Sequence, residues 1–286
     1  MSASRRARRV VALLGALLGT VLVSCGGGAS AGSQNSQNSL HLVNPGYLTV
    51  ATHASLAPEI VVGPGQHIGG MDGVLFNAFV KEHHLKIKLY QTTFPSMILA
   101  VRQGKADIGE GVFYTADRAK QVRYTYPFWL GRAAVITLKS TPYKNAASFQ
   151  DKTIGTVIGY VWAPYLQKVF GARAKLYQDE ATVGQALLNG QIDGYVNGAS
   201  TVDAPPLTAK KVAAHLLKPG DWGMPDSALT TIAHNIVKCD NTGLESAMNK
   251  TLSEQYKSGA WLKALKSYHL DKNSQAQLKT VKQLCT

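Results

Sequence analysis

The chain has 286 residues, of which 45% are apolar and 16% are charged, so it is long enough and apolar enough to fold around its own core. This composition excludes a disordered or fibrous protein. The formal net charge is +13, but without the four Arg of the first 24 residues, 26 basic residues face 17 acidic ones. The remaining Lys residues are scattered, which favours a solvated basic surface over a nucleic-acid-binding face and predicts no nucleic-acid partner.

The first 24 residues have the pattern of an export signal. Four Arg within residues 5–9 precede an uncharged, mostly apolar stretch over residues 10–23. A helix of that length rises about 21 Å, less than the roughly 30 Å of a bilayer's hydrocarbon layer, which favours a signal segment over a spanning helix. The stretch ends in Leu22-Val23-Ser24-Cys25, which resembles the lipobox of bacterial lipoproteins. Cys25 is therefore the predicted lipid-attachment site, and the alternative is an ordinary signal peptide followed by a free Cys.

A tract rich in Gly, Ser and Asn follows Cys25. Its sequence, GGGASAGSQNSQNS, has too few apolar residues to pack in a core, so residues 25–45 are predicted to form a flexible tether. Together with the signal segment at 1–24, the tether predicts a folded part that a lipid holds outside the cell membrane.

Past the tether, strand and helix patterns alternate. The predicted elements are the strand Tyr47–Thr52, the helix Asp72–Leu85, the strand Lys86–Tyr90, the helix Pro95–Val101 capped by Gly104, and a short strand from Ala106. This β-α-β-α-β order predicts a mostly parallel sheet.

A second unit repeats this order. Its predicted elements are the strand Thr153–Ile158, the helix Trp162–Val169, the strand Ala174–Tyr177 and the helix Glu180–Leu188. The segment AVRQGKADIG over 100–109 aligns with ALLNGQIDGY over 186–195, and each places a helix-capping Gly at the same distance before an Asp. Two similar α/β units predict two lobes with a ligand cleft between them. Two helices, Leu244–Lys257 and Ala260–Tyr268, are predicted after them, with a break at Gly259.

The cysteines agree with export. With Cys25 assigned to lipid, Cys239 and Cys285 remain as a pair, which predicts a disulfide in an oxidising compartment; two separate buried thiols are the alternative. The sequence contains neither a Cys/His cluster with metal-ligand spacing nor a Gly-rich phosphate loop after the first strand, so no metal and no cofactor are predicted.

Several segments occur in an order typical of one family. They are GMDGVL at 70–75, FPSMILAV at 94–101, GKAD at 104–107, TADRAKQV at 115–122 followed by Tyr126-Pro127-Phe128, and LYQDEATVGQALLNGQIDGYV at 176–196. In this order they resemble the family 3 solute-binding proteins of bacterial ABC importers, the polar amino-acid group. The resemblance covers nearly all of the chain past residue 45.

The resemblance implies a periplasmic-binding-protein-like α/β fold with two lobes joined by two hinge strands. Lobe 1 is expected over 46–138 and 231–286, and lobe 2 over 139–230. It implies a monomer, not an enzyme, whose lobes close over a small polar solute, an amino acid or a related amine or carboxylate. Its expected partners are an ABC permease and the ATPase subunits of the importer.

The resemblance also implies binding residues in lobe 1. Arg118 matches the Arg that grips the α-carboxylate of the ligand, a task suited to a planar guanidinium; the alternative is a surface Arg at a helix start. Phe94 matches an aromatic residue that stacks on the ligand, with a core position as the alternative. Gly111, Phe113 and Thr115 lie on the loop that offers backbone and hydroxyl contacts.

The chain departs from the family pattern at the positions that select the ligand. His53 and Leu56 stand where the family has an Asp and an aromatic residue after the first strand. The turn of lobe 2 contains Tyr160 in place of a hydroxyl residue, and Asn197 lies near the position of the Asp that receives the ligand amine. Glu110 is expected either to supply a carboxylate or to point to solvent.

An aromatic surround for a cationic ligand is a further hypothesis. Phe94, Phe113, Tyr160 and Trp162 would form it, with Glu110 as the counter-charge.

Two other functions stay open. One is a ligand-sensing lipoprotein without a transport role. The other is an exported enzyme similar to cyclohexadienyl dehydratases, in which Glu110 beside Arg118 would act as an acid or base.

Overall fold

The computed structural model describes residues 39–53, 59–268, 270 and 272–285. The predicted signal segment, Cys25 and the tether up to residue 38 lie outside the described residues, as does Leu56.

The secondary structure agrees with the predicted order of elements. The strands are β1 Tyr47–Thr52, β2 Val61–Val62, β3 Ile68–Gly69, β4 Lys86–Gln91, β5 Ile108–Phe113, β6 Arg123–Leu138, β7 Ile154–Val157, β8 Ala174–Tyr177, β9 Gly194–Gly198, β10 Val212–Leu216 and β11 Thr230–Val237. The helices are α1 Gly70–Glu82, α2 Phe94–Arg102, α3 Ala116–Ala119, α4 Ala163–Phe170, α5 Glu180–Leu188, α6 Asp226–Leu229, α7 Thr242–Lys257 and α8 Ala260–Ser267. Short 3-10 turns occupy Pro64–Gln66, Ala146–Phe149, Gly171–Arg173, Ala199–Asp203, Asp221–Gly223 and Lys272–Ser274.

In the part of the chain that the structure describes, nine strands form one sheet whose two halves share β6, and each half belongs to one lobe; β2 and β3 pair separately as a two-stranded antiparallel sheet. In lobe 1 the strand order is β4-β1-β5-β11-β6, with β1 parallel to both β4 and β5 and β11 antiparallel to its neighbours. In lobe 2, β8-β7-β9 repeats the arrangement of β4-β1-β5, and the second half of β6 lies antiparallel beside β9. The predicted two-lobe α/β fold is therefore confirmed.

Apolar side chains cover both faces of each sheet. In lobe 1, Phe76 and Phe79 of α1 pack with Trp261 of α8 on one face, while Met97 and Val101 of α2 pack on the other. In lobe 2, Leu166 of α4 belongs to one core and Val183 with Leu187 of α5 to the other. Each lobe is thus a sheet between two helical layers, which explains why its central parallel strand, β1 in lobe 1 and β7 in lobe 2, is buried on both sides.

The sequence repeat corresponds to a repeated structure. Gly104 and Gly190 both take left-handed backbone conformations, with φ of 68° and 69°, at the ends of α2 and α5. The carboxylate of Asp107 accepts a hydrogen bond from the Thr49 amide at 2.6 Å, and that of Asp193 accepts one from the Thr153 amide at 2.8 Å. In both lobes the Asp therefore holds the start of the unit's first strand, so these two residues are structural.

Strands β6 and β11 connect the lobes. Along β6 the partner changes between Arg132, which pairs with β11, and Ala133, which pairs with β9. The chain enters lobe 2 through β6 and returns at Thr230, where β11 begins. The change of pairing partner lies before residue 138, the predicted limit of lobe 1, because β6 continues beyond this point as a strand of lobe 2. The residue limits of the two lobes therefore remain a prediction.

Both ends of the described chain pack on lobe 1. Leu40 is buried, the Val43 amide donates to Asp107 at 2.6 Å, and the Asn241 side-chain amide donates to the Leu40 carbonyl at 2.9 Å. The folded segment therefore overlaps the end of the predicted tether over 25–45. At the other end, Cys239 and Cys285 form a disulfide bond with a Cα–Cα distance of 5.5 Å.

Candidate functional site

A cavity of about 50 Å³ lies between the two lobes. Most of the predicted binding residues line it, namely His53, Phe94, Glu110, Gly111, Phe113, Arg118, Tyr160 and Asn197. These residues come from the ends of β1, β5 and β9, the start of α2, helix α3 and the turn after β7. The cavity therefore lies where the strand ends of the two lobes face each other, the usual position of ligand sites in α/β folds.

Arg118 spans the interface between the lobes. Its guanidinium donates to the Phe113 carbonyl of lobe 1 at 2.7 Å and to the Gly159 carbonyl of lobe 2 at 2.6 Å, and it lies over the Phe94 ring at 4.9 Å from the ring centre. Burial lowers the pKa of this guanidinium from its ordinary value, but an Arg remains charged. The two hydrogen bonds use two of its five N–H donors, so donors remain for a carboxylate.

Gly159 allows this close approach of the lobes. Its φ is +83°, which disfavours residues with a side chain, and an added Cβ would lie 3.1 Å from Pro95 Cγ and 3.4 Å from Phe94 Cδ1. The Gly at this turn is thus required by packing as well as by backbone conformation, and it presents its carbonyl to Arg118.

His53 lies between carboxylates of the two lobes. Its Nδ1 is 2.8 Å from Glu110 Oε1 in lobe 1, and its Nε2 is 3.2 Å from Glu180 Oε1 and 2.9 Å from the Tyr160 hydroxyl in lobe 2. The side chains of His53, Glu110 and Glu180 are 7%, 2% and 5% exposed. Burial opposes protonation of the imidazole, but the attraction of the two carboxylates outweighs it and raises the pKa of His53 to about 10. The expectation that Glu110 points to solvent is wrong, because it pairs with His53.

Two further acids lie close to this cluster. Glu59 lines the cavity and accepts a hydrogen bond from the Ser200 hydroxyl of lobe 2 at 2.8 Å. Burial raises the pKa of Glu59 to about 7. Burial, with the neighbouring charge of Glu110, also raises the pKa of Asp72 well above its ordinary value. Both shifts favour the protonated acid, and Glu110 and Glu180 are the two acids that contact the His53 imidazole.

The remaining predicted residues have structural partners. Thr115 lies outside the cavity lining, and its hydroxyl accepts from the Arg118 amide at 3.2 Å as the N-cap of α3. Asn197 lines the cavity, donates to the Tyr195 hydroxyl and accepts from the Gly198 amide at 2.8 Å. Gly111, also in the lining, donates its amide to Asn235 at 3.3 Å.

The four aromatic residues of the predicted surround do not share one cavity. Phe94 and Tyr160 line it with ring centres 5.0 Å apart, and Phe113 also reaches it. Trp162 is fully buried in the core of lobe 2, where its indole N–H donates to the Ala228 carbonyl at 2.8 Å. Since the Phe94 ring already faces the Arg118 guanidinium, these aromatics serve mainly to hold the protein's own groups.

Sequence reasoning missed Glu180, Glu59 and Asp72 as members of this site. The sequence pattern predicts Glu180 only as the first residue of a helix, and Asp72 only as part of the GMDGVL segment at a helix start. For Glu180 a signal exists: an acidic residue in the first turn of a helix that follows a parallel strand, here β8, is placed at the strand ends that face the cleft. Nothing in the local sequence distinguishes Glu59.

The pKa values of two buried histidines are predicted to be shifted in opposite directions from the ordinary value of an imidazole. His234 is buried beside the Thr125 carbonyl, and burial without a carboxylate partner lowers the pKa of its imidazole to about 4. His53 is expected to stay protonated until the pH approaches 10, and His234 to stay neutral until the pH falls to about 4. Long-range ¹⁵N–¹H NMR spectra of the imidazoles across this range will show both, with signals assigned by His53→Asn and His234→Asn. Titration of both rings near their ordinary pKa of 6.5 would contradict the charge arrangement described here.

Within the described residues, no group of three or more His, Cys, Asp or Glu side chains is arranged to hold a metal ion. No helix in that part of the chain has the length and apolarity needed to cross a membrane.

Comparison with known proteins gives one family. Residues 48–271 match the sequence profile of the bacterial extracellular solute-binding proteins, family 3. The chain is 29% identical over 152 residues to the ABC transporter arginine-binding protein 1 of Escherichia coli strain K12, a match that covers 52% of this chain and 62% of that relative, less than two thirds of its length. It is 24% identical over 256 residues to a probable histidine-binding protein of Neisseria gonorrhoeae, covering 87% and 92% of the two chains.

Among solved structures, the fold is similar to that of the arginine-, lysine-, histidine-binding protein ArtJ from the thermophilic bacterium Geobacillus stearothermophilus. The TM-score is 0.67 at 20% identity, and the match covers 81% of this chain and 97% of that structure. The structural relatives are substrate-binding proteins rather than enzymes. With the profile match spanning both lobes and the cleft between them, the chain belongs to the bacterial extracellular solute-binding proteins of family 3 and has their substrate-binding role.

Proposed function

We propose that this protein captures an amino acid with a cationic side chain between its lobes and delivers it to an ABC permease. The observation that carries the proposal is the cavity lining, which combines the Arg118 guanidinium with the carboxyl groups of Glu59 and Glu110. A guanidinium suits the α-carboxylate of an amino acid, and the acids suit its cationic groups. The relatives named as arginine- and histidine-binding proteins support this class of ligand.

The acids of the cavity lining bear on the ligand amine, which has no charged partner at Asn197. An amide there removes the charged partner that the family offers to the ligand amine. Glu110 lines the same cavity and is proposed to supply that negative charge from lobe 1, with the carboxyl group of Glu59 in the same lining as a hydrogen-bonding group. The cavity lining holds the carboxyl groups of Glu59 and Glu110 beside the Arg118 guanidinium, which suits a ligand that carries a cationic group in addition to its carboxylate.

A thermal-shift screen tests the ligand class. L-Arginine, L-lysine and L-histidine at about a hundred times the dissociation constant are expected to add about 2.7 kcal/mol, which is roughly 5–10 °C in the unfolding midpoint. L-Glutamate and simple carboxylates serve as the matched anionic probes and are expected to give no shift. A response to anionic amino acids alone would contradict the proposal.

The same protein is proposed to bind without turnover. Equilibrium dialysis followed by mass spectrometry is expected to return the bound amino acid unchanged, whereas release of a dehydrated or decarboxylated product would favour the enzyme hypothesis. A ligand-sensing lipoprotein without transport would bind the same amino acids but would not support their ATP-driven uptake in vesicles containing the permease.

The anchored location is also a proposal. It rests on the residues before the described part, the run of Arg, the apolar stretch and Cys25. Metabolic labelling with a fatty acid is expected to mark the wild-type chain and not Cys25→Ser, and labelling of both would disprove the attachment site.

A further inference from the structure

Side chains that face the cleft bind directly to groups on the opposite lobe. Four of these contacts join a side chain of lobe 1 to a group of lobe 2. They are His53 to Glu180, His53 to Tyr160, Arg118 to the Gly159 carbonyl and Glu59 to Ser200. Groups that a ligand would use to hold the lobes together therefore hold them together directly.

His53 is the only one of these bridging groups in the described chain that ties a carboxylate of one lobe to a carboxylate of the other. Glu110 belongs to β5 of lobe 1 and Glu180 to α5 of lobe 2, and one oxygen of each lies within 3.2 Å of the imidazole. Two carboxylates on one ring repel each other unless a cation lies between them. Closure at this point of the cleft therefore requires positive charge between the lobes.

Burial makes this requirement stringent. Both carboxylates are almost completely removed from solvent, so the loss of their cation would leave uncompensated buried charge. The imidazole meets the requirement without any solute because it is covalently attached at the end of β1. The Tyr160 hydroxyl at Nε2 fixes the ring in place from lobe 2.

We propose that His53 is a tethered cation that latches the lobes together without solute, and that the cationic group of the ligand must displace it from Glu110 and Glu180. The second half of this statement rests on the proposed function, whereas the latch itself does not. His53 would thus set specificity, because a ligand without positive charge cannot replace it.

The cavity volume supports displacement rather than simple filling. The cavity that His53 lines measures about 50 Å³, about a third of the roughly 150 Å³ of an apolar cavity known to bind benzene. An amino acid can enter only if the lobes separate, which breaks the contact between His53 and Glu180. Since Glu110 both lines the cavity and pairs with His53, ligand and imidazole compete for it.

The latch has a defined pH dependence. The groups facing His53 are Glu110 on β5, Glu180 on α5 and the Tyr160 hydroxyl after β7. Asp72 of α1 interacts with its charge, and Arg118 of α3 lines the same cavity. The folded pKa is raised above 6.5 to about 10, so the stabilisation is complete below pH 6.5 and is lost as the pH rises through about 10. Glu59, with a pKa near 7, gains charge over the same interval and adds to the repulsion.

Small-angle X-ray scattering of the solute-free protein tests the latch. At pH 7 the wild-type protein is expected to have the radius of gyration calculated from this structure. Glu180→Gln keeps the shape of the side chain but removes the charge of lobe 2, and it is expected to increase the radius of gyration. His53→Asn is expected to do the same. At pH 11 the wild type is expected to expand while its circular dichroism spectrum stays folded.

A matched variant separates the latch from general effects. His215→Asn removes a histidine of lobe 2 that stacks on Tyr143 at 4.0 Å, away from the cleft, and is expected to scatter like the wild type. Should His53→Asn fail to fold, Glu180→Gln carries the test. A wild-type protein that is open at pH 7, or a Glu180→Gln protein as compact as the wild type, would overturn the proposal.

Imidazole serves as the direct probe of the vacated position. His53→Ala is expected to contract again when imidazole is added at pH 7, and imidazole is expected to leave Glu180→Gln expanded. If nine-tenths of wild-type molecules are latched, His53→Ala should bind L-arginine about tenfold more tightly. Restored compactness with imidazole but no binding of any amino acid would support the latch and reject the proposed function. Binding of L-arginine by a wild-type protein that is open without solute would support the proposed function and reject the latch.

Discussion

Replacing Arg118 with Ala is expected to weaken the binding of L-arginine at least about 30-fold, or about 2 kcal/mol. Removal of one partner of a buried, hydrogen-bonded charge pair costs this much or more, because the carboxylate left behind loses its charged donors in a closed site. The guanidinium is held by two carbonyls and the Phe94 ring, so it is already oriented toward the cavity that it lines. Isothermal titration calorimetry measures the change directly.

Two matched variants control this result. Arg102→Ala removes an exposed Arg that donates to Gln121 at 3.1 Å, and it should leave the affinity unchanged. Arg118→Lys retains the charge but loses the planar pair of donors, so it is expected to recover only part of the affinity. Wild-type affinity in a folded Arg118→Ala protein would remove Arg118 from the carboxylate site.

Removing the disulfide is expected to lower the free energy of unfolding by about 4 kcal/mol in the loop-entropy account, a fall of roughly 8 °C or more in the midpoint. The bridge joins residues 46 positions apart and fixes a C-terminal segment that has little secondary structure of its own. Besides the bridge, hydrogen bonds hold that segment. The Gln283 side chain accepts from the Tyr124 amide at 3.0 Å and donates to the Tyr124 carbonyl at 2.8 Å, and the Tyr114 hydroxyl donates to the Lys282 carbonyl at 3.0 Å.

Differential scanning calorimetry of Cys239→Ser/Cys285→Ser against the wild type will measure this loss. Dithiothreitol is expected to shift the wild type to the midpoint of the double variant and to leave the double variant unchanged. Equal midpoints for the oxidised wild type and the double variant would mean that the polar contacts hold the segment by themselves.

Local sequence patterns predicted the strands and helices of the two repeated units but not strands β6, β10 and β11, which complete the sheets. Strand β1, strand β8 and helix α5 begin and end at the predicted residues, since their periodicity and turn residues act within a few positions. The internal repeat was recognisable for the same reason, because a capping Gly and the Asp that receives a strand amide have a fixed spacing.

The candidate site was predictable only in part. Arg118, Phe94 and Glu110 were found because they belong to recognisable segments. The contact between His53 and Glu180 joins residues 127 positions apart, and it depends on how one lobe packs against the other. No pattern within either segment encodes that relationship, so the role of Glu180 becomes visible only when both lobes are placed.

The first and last described segments lie on lobe 1, which determines the part of the molecule that an attachment would hold. Leu40 is bound by Asn241 and Cys285 by Cys239, both of lobe 1, so an attachment at either end of the described chain would hold lobe 1 and leave lobe 2 free to move relative to it. A fluorescent protein fused to either end would therefore travel with the stationary half and report nothing of the motion. A biosensor built on this scaffold needs its reporter inserted into lobe 2, for instance at the exposed turn around Lys210.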